Sequence, residues 1–290
     1  MGRVELRGAL LFLFGILVFL SSGCYERKEG CLDVEATNFD VEADDACGAC
    51  CRFAQLKLSF LHRLTEEDTL TVFQLNTPYP HTPDSLDFFS ITALRFYISD
   101  LRLVNIEGQE FTVSDTLEYK YLSPAGDTLK SSLVDNFAYA DRSNVGDIEI
   151  GTFRTTGIFT KVKFNLGLEN PAAGALPSGF PATHPLFFKN DSTNWSEDAG
   201  YVFNWVEFLR DTLPETEPTV IKITEPDLIK IELAHDFEIK KGADINVVLK
   251  INYLEWFEGV DWKTDSADEI KRKMLSNIGG SFELVSVEQQ

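Results

Sequence analysis

From Phe53 onward, apolar and polar residues alternate one for one in short stretches: Ala54-Gln-Leu-Lys-Leu-Ser-Phe60, Ile148-Glu-Ile150, Thr160-Lys-Val-Lys-Phe-Asn-Leu166, Thr219-Val-Ile-Lys-Ile223, Ile229-Lys-Ile-Glu-Leu233 and Ile245-Asn-Val-Val-Leu-Lys-Ile-Asn252. A period of two sends successive side chains to opposite faces of a strand, so each stretch reads as a half-buried antiparallel strand. Pro124-Ala-Gly-Asp127, Asn170-Pro171 and Lys241-Gly-Ala-Asp244 mark turns between them. The strands recur too closely for intervening helices to cover a parallel sheet. The pattern predicts an all-β fold over 53–290, an antiparallel β-sandwich, with one short helix over Ser266–Asn277. There Ser266 caps a run whose Ile270, Met274 and Leu275 are apolar.

The first 23 residues follow a different rule. Ala9 to Leu20 is an uncharged run of twelve, preceded by Arg3 and Arg7 and followed by Ser21-Ser22-Gly23 and then Cys24. A membrane-crossing helix needs about 20 apolar residues, so the run is that of an export signal. Small residues before a cysteine resemble a lipobox, with Leu20 one place further upstream than the usual leucine. The resemblance implies cleavage before Cys24, lipid attached to Cys24, and an outer-membrane lipoprotein of the cell envelope, facing the periplasm or the surface. The other reading is a soluble exported protein in which Cys24 lies beside the cleavage site or pairs with another cysteine. Residues 24–30 then form a polar tether.

Residues 31–52 hold the other four cysteines, Cys31, Cys47, Cys50 and Cys51. Four is an even number in a compartment where disulfides persist, so two bridges are expected. A bond between adjacent Cys50 and Cys51 is strained, which makes Cys31 and Cys47 their expected partners. A zinc site at Cys47-x-x-Cys50 is the competing reading, and it requires reduced thiolates. Between the cysteines, Asp33, Asn38, Asp40 and Asp44 place oxygens at alternating spacing. Calcium takes six to eight oxygens, so either a calcium site or a disulfide-stapled spacer without an ion fits. The stretch from Gly30 to Ala43, with Gly30-Cys-Leu-Asp33 and Asn38-Phe-Asp40, resembles the short Cys/Asp modules of exported proteins from marine and gliding bacteria, among them Bacteroidetes.

A formal net charge of −20 becomes one unit more negative without the leader. Such a chain repels phosphate, so no nucleic-acid partner is expected, and attachment to a membrane falls to the lipid. Seven tripeptides run Asp, then Ser or Thr, then a further residue: at Asp68, Asp84, Asp115, Asp127, Asp191, Asp211 and Asp265. They resemble the O-glycosylation sequon of Bacteroidetes exported proteins, and they are also ordinary turn chemistry. No Gly-rich phosphate loop, Gly-x-Ser-x-Gly elbow or His-Glu-x-x-His pair is present, and no carboxylate pair is singled out by spacing. The expectation is a binding protein that is not an enzyme.

Phe96-Tyr-Ile-Ser-Asp-Leu-Arg-Leu103, Phe164-Asn-Leu-Gly167, His184-Pro-Leu186, Trp195 and Gly200-Tyr-Val-Phe203, in that order, with His235 late on a strand, resemble the MbnP-like family of exported copper-binding proteins. The likeness covers about Leu56 to Leu254. It implies copper as the bound ion and a diheme partner enzyme of the MauG type that oxidises a tryptophan. In the tryptophan-rich stretch this chain keeps Trp195 but has Thr193 in the methionine position and Glu197 in that of the second tryptophan. Only Trp195 is then available locally for modification, or it serves as a platform or core residue.

Imidazoles suit copper in an oxidising compartment. The candidate ligands are His184 and His235, with His62 as a third, if the fold brings them together. The alternative is that the histidines are inert and that Trp256, Phe257 and Trp262 form an exposed aromatic platform for carbohydrate or protein.

Overall fold

The computed structural model describes residues 25–64, 71–81, 86–188, 193–213, 215–224 and 227–290. The export signal and Cys24 lie outside the described residues. So do the tripeptide at Asp68 and most or part of those at Asp84 and Asp191. The chain splits into two compact units, Met1–Arg52 and Phe53–Gln290.

In the first unit, β1 (Glu29–Gly30) pairs in parallel with β2 (Asp45–Ala46). Disulfides join Cys31 to Cys51 and Cys47 to Cys50, so neighbouring cysteines are not joined and neither sulfur of the Cys-x-x-Cys pair is free for zinc. The side chains expected around calcium make hydrogen bonds within the unit. Asp33 and Asp40 each accept the N–H two residues on, from Glu35 and Glu42 at 2.9 Å, and Asp40 also meets Lys28 Nζ at 2.9 Å. Asp44 accepts the Lys28 N–H at 3.0 Å. The Asn38 amide donates to Cys50 O and accepts from Arg52 N, both at 2.8 Å. Turn capping accounts for Asp33 and Asp40, while Asp44 and Asn38 tie distant parts of the unit together. Among the described residues no group of three or more His, Cys, Asp or Glu side chains is placed to hold a metal ion.

The second unit contains β3 (Gln55–Arg63), β4 (Tyr79–Pro80), β5 (Phe88–Asn105), β6 (Glu110–Phe111), β7 (Thr116–Leu122), β8 (Thr128–Val134), β9 (Phe137–Asp141), β10 (Ile148–Thr152) and β11 (Gly157–Leu166). They are followed by β12 (Trp195–Ser196), β13 (Gly200–Leu209), β14 (Thr219–Thr224), β15 (Ile229–Ile239), β16 (Ile245–Asn252), α1 (Tyr253–Trp256), α2 (Ala267–Asn277) and β17 (Phe282–Gln289). The six alternating stretches all lie in strands, and the turn at Pro124–Asp127 joins the β7–β8 hairpin.

Strands β10, β3, β16 and β17 form one sheet and nine others form a second, larger one. The second unit is the expected β-sandwich, and among its described strands one pair departs from antiparallel pairing: β3 and β16 run parallel. Leu56, Leu58, Val247, Leu249 and Ile251 of the small sheet share one core cluster with Leu94, Phe96, Val162, Phe164 and Val206 of the large one. Trp256, Phe257 and Trp262 are 0%, 5% and 2% exposed in that same core. The proposed surface platform therefore does not exist. Each ring is large enough to repay full burial, and Trp256 Nε1 finds Ser281 Oγ at 2.6 Å.

α2 begins as expected. Ser266 Oγ accepts the Glu269 N–H while the Glu269 carboxylate returns a bond to the Ser266 N–H, a capping box. Ile270 and Met274 face the core and are fully buried.

A switch of parity in β5 creates the second hydrophobic layer. From Leu94 to Ile98, even-numbered Leu94, Phe96 and Ile98 belong to the main core; after Asp100, odd-numbered Leu101 and Leu103 do. Asp100 has φ 55°, and the β5–β11 register shifts between Lys163 and Asn165. One extra residue at a bulge exchanges the faces. Between Leu94 and Ile98 the odd positions, led by Tyr97, point away from the main core. A second cluster gathers there: Tyr97, Phe137, Leu168, Phe180, Leu186, Tyr201 and Phe203.

Candidate functional site

The outer cluster holds in place the segment that carries His184. Tyr97 Oη donates to Pro185 O at 3.0 Å and accepts from Asn194 Nδ2 at 2.8 Å. Asn194 Nδ2 also reaches Phe187 O at 2.9 Å, and Tyr201 Oη donates to Leu186 O at 2.7 Å. Three consecutive carbonyls, from Pro185 to Phe187, are thus each bound by a side chain from elsewhere in the fold. Both phenols are buried, and burial pushes their pKa values up, so they stay protonated and can donate. The base of the cluster is tied by Ser99 Oγ, which donates to Gly167 O at 2.6 Å, while the Gly167 N–H donates to Tyr97 O at 3.0 Å. Gly167 has φ 111°, and a Cβ there would lie 2.7 Å from Phe203 Cδ2. Only glycine fits both the backbone conformation and the space.

The His184 ring stacks on Phe180, with centroids 4.9 Å apart and an 11° angle between planes, and meets Phe137 edge-on. It is 9% exposed. Nδ1 accepts the Leu186 N–H at 3.1 Å, which leaves the ring proton on Nε2, and Nε2 donates to Asp135 Oδ1 at 2.9 Å. The ring borders a cleft of about 420 Å³ that Asp115, Asp135, Glu149 and Gly151 also line. Asp115 Oδ2 accepts the Thr152 N–H, and a Cβ on Gly151 would lie 2.6 Å from that oxygen. Glycine at 151 therefore lets the carboxylate approach the β10 backbone.

The other two candidate histidines are elsewhere. His62 is in β3, on the small sheet, 6% exposed. Its Nδ1 lies 2.8 Å from Tyr253 Oη, and the two rings are stacked. Burial, helped by Arg142 and Arg63, lowers its pKa to about 3, so it stays neutral in the core. His235 is exposed on β15. Phe137, which touches His184, starts a rung that runs through Ser99 and Asn165 to Lys230. Three strand spacings of about 4.8 Å and five residues at about 3.3 Å separate His235 from Phe137, on the order of 20 Å. The expected set of His184, His235 and His62 is not assembled, because β15 carries its histidine past the level of the cluster and β3 belongs to the opposite sheet.

Trp195 is half-buried against the outer cluster, in β12, and directly follows Asn194. His184 and Trp195 thus border the same aromatic layer, while His235 and His62 do not. Asp135, Asn194 and the hydroxyls of Tyr97 and Tyr201 were not legible as site residues in the sequence. An aspartate before a strand and a tyrosine within one are commonplace, and only the bulge at Asp100 reveals which face Tyr97 takes.

A family model described as MbnP matches residues 54–274. The chain belongs to the MbnP family. The match falls entirely within the second unit and leaves the cysteine-rich unit outside it. No curated protein matches. Among solved structures, the chain is similar to MbnP from Methylosinus trichosporium, at 11% identity over 82% of this chain and 99% of that one. The TM-score of 0.38 is too low for that likeness to bear on the site. Apart from His235, the MbnP-like segments read from the sequence meet in the cluster that holds His184: the Tyr97 strand, the Gly167 turn, His184-Pro-Leu186, Trp195 and Gly200-Tyr201.

Proposed function

We propose that this MbnP-family protein handles copper in the cell envelope, binding it through a single imidazole, His184, and passing it on without catalysing a reaction. The observation that carries this reading is the hydrogen bond from His184 Nε2 to Asp135 Oδ1 at 2.9 Å. Metal-ligating histidines characteristically donate their second ring N–H to a carboxylate, which fixes the tautomer and raises the basicity of the other nitrogen. Here Asp135 holds the proton at Nε2, so Nδ1 is the lone pair offered to a metal. The group in its way is the Leu186 N–H, a bond of 3.1 Å within the same turn.

Imidazole suits Cu(II), and neighbouring carboxylates add charge attraction. With no group of three ligating side chains among the described residues, the remaining coordination positions are open to water or to a donor molecule, which suits transfer better than storage. In this reading the protein is tethered by a lipid on Cys24. Trp195 is the residue that a diheme enzyme of the MauG type would oxidise, and intact mass of protein from its native host reports that modification. Copper titration tests the assignment: His184→Ala abolishes binding at this site, and an unchanged affinity overturns it.

A further inference from the structure

The cysteine-rich unit contains two disulfides of different character. Cys31 is 1% exposed, and its bond to Cys51 closes a loop of 20 residues that spans the unit. Cys50 is exposed, Cys47 is half-exposed, and their bond spans a separation of only three residues. Gly48 and Ala49 between them are exposed as well. Cross-linking a long loop restrains the unfolded chain more than cross-linking a short one, so the Cys31–Cys51 bond does most of the stapling. The ends of the Cys47–Cys50 turn are fixed without their own bond. The Cys47 N–H donates to Gly30 O at 2.9 Å, and the Asn38 amide bridges Cys50 O and Arg52 N.

We infer that Cys47 and Cys50 form a redox-gated Cu(I) site, closed as the disulfide and opened by a dithiol reductant. A thiolate of the reductant attacks the exposed Cys50 Sγ and displaces Cys47 as a thiolate. The second reductant thiol then attacks the mixed disulfide and releases Cys50. The reductant leaves as its own disulfide, and the protein gains two electrons and two protons. Cu(I) binding by both sulfurs releases those two protons. Soft thiolates select Cu(I), and the two Cα atoms are already held 5.7 Å apart. Eight carboxylates against three basic side chains between residues 25 and 52 draw cations to the unit. The Cys31–Cys51 bond preserves the fold while the gate is open. This site is independent of the His184 cleft and lies outside the MbnP match.

The test treats the purified protein briefly with dithiothreitol, removes the reductant, and maps alkylated cysteines by peptide mass. A portion left unalkylated is titrated with Cu(I) against bicinchoninate. Expected are alkylation of Cys47 and Cys50 with Cys31–Cys51 intact, and one Cu(I) bound about tenfold or more tighter than by the oxidised protein. The gain persists in His184→Ala and is absent from Cys47→Ser/Cys50→Ser. Wild-type protein alkylated after reduction repeats the loss without a substitution. Simultaneous opening of both disulfides, or an undiminished gain in the double variant, overturns the inference.

Discussion

The Nε2 of His184 donates to Oδ1 of Asp135 across 2.9 Å, so a metal can reach the ring only at Nδ1, by displacing the Leu186 N–H. Asp135 touches no ion in this scheme; it positions the imidazole and its proton. Its substitution is expected to be milder than loss of the ring. A carboxylate that hydrogen-bonds a metal-ligating histidine typically contributes about 10–100-fold in affinity. Asp135→Asn should weaken copper binding within that range, with the circular dichroism of the folded protein unchanged. An effect as large as that of His184→Ala would make Asp135 a direct ligand instead.

Tyr97→Phe removes the donor to Pro185 O and the acceptor for Asn194 while keeping the ring in the cluster. A net cost of about 1–2 kcal/mol is expected from the lost bonds and the unsatisfied groups left behind, measured by urea denaturation. Copper affinity should fall as well, because the His184 segment loses one of its three carbonyl anchors.

Gly167→Ala places a methyl group against Phe203 in a backbone conformation that alanine avoids. A destabilisation of about 2 kcal/mol or more is expected. A thermal melt equal to wild type would show that the β11 end can relax, contrary to this packing.

His62 gives the fold a pH dependence separate from the proposed copper site. Its folded pKa is lowered from 6.5 to about 3. Between these values the unfolded chain takes up a proton that the folded chain refuses, so stability falls as the pH drops through that window. The slope is about 1.4 kcal/mol per pH unit, or about 2 kcal/mol from pH 6.5 to 5. His62→Gln should remove that part of the loss. Denaturation at the two pH values measures the difference between the proteins, and parallel behaviour would contradict the assignment.

Much of the fold was legible because burial on one face leaves a period of two. The six alternating stretches, the Ser266 cap and the avoidance of a Cys50–Cys51 bond could be read from residue type and spacing, whereas the choice between the two remaining disulfide pairings could not. Tertiary placement could not. The bulge at Asp100 exchanges the faces of β5, and nothing in Ser99-Asp100-Leu101 announces it. Trp256 and Trp262 look like surface rings in an acidic stretch and are core. His184 was legible through its Pro-Leu context, whereas its partner Asp135 comes from 49 residues earlier in the chain. Among the described Asp-Ser/Thr tripeptides, Asp211 caps its own turn through the Leu213 N–H, and Ser266 caps a helix.

Electron paramagnetic resonance of the Cu(II)-loaded, oxidised protein tests the central claim most directly. A site built on His184 alone predicts hyperfine coupling from one equatorial imidazole nitrogen, lost in His184→Ala and unchanged in His235→Ala and His62→Gln. Coupling from two or more imidazoles, or a spectrum that survives His184→Ala, would contradict it.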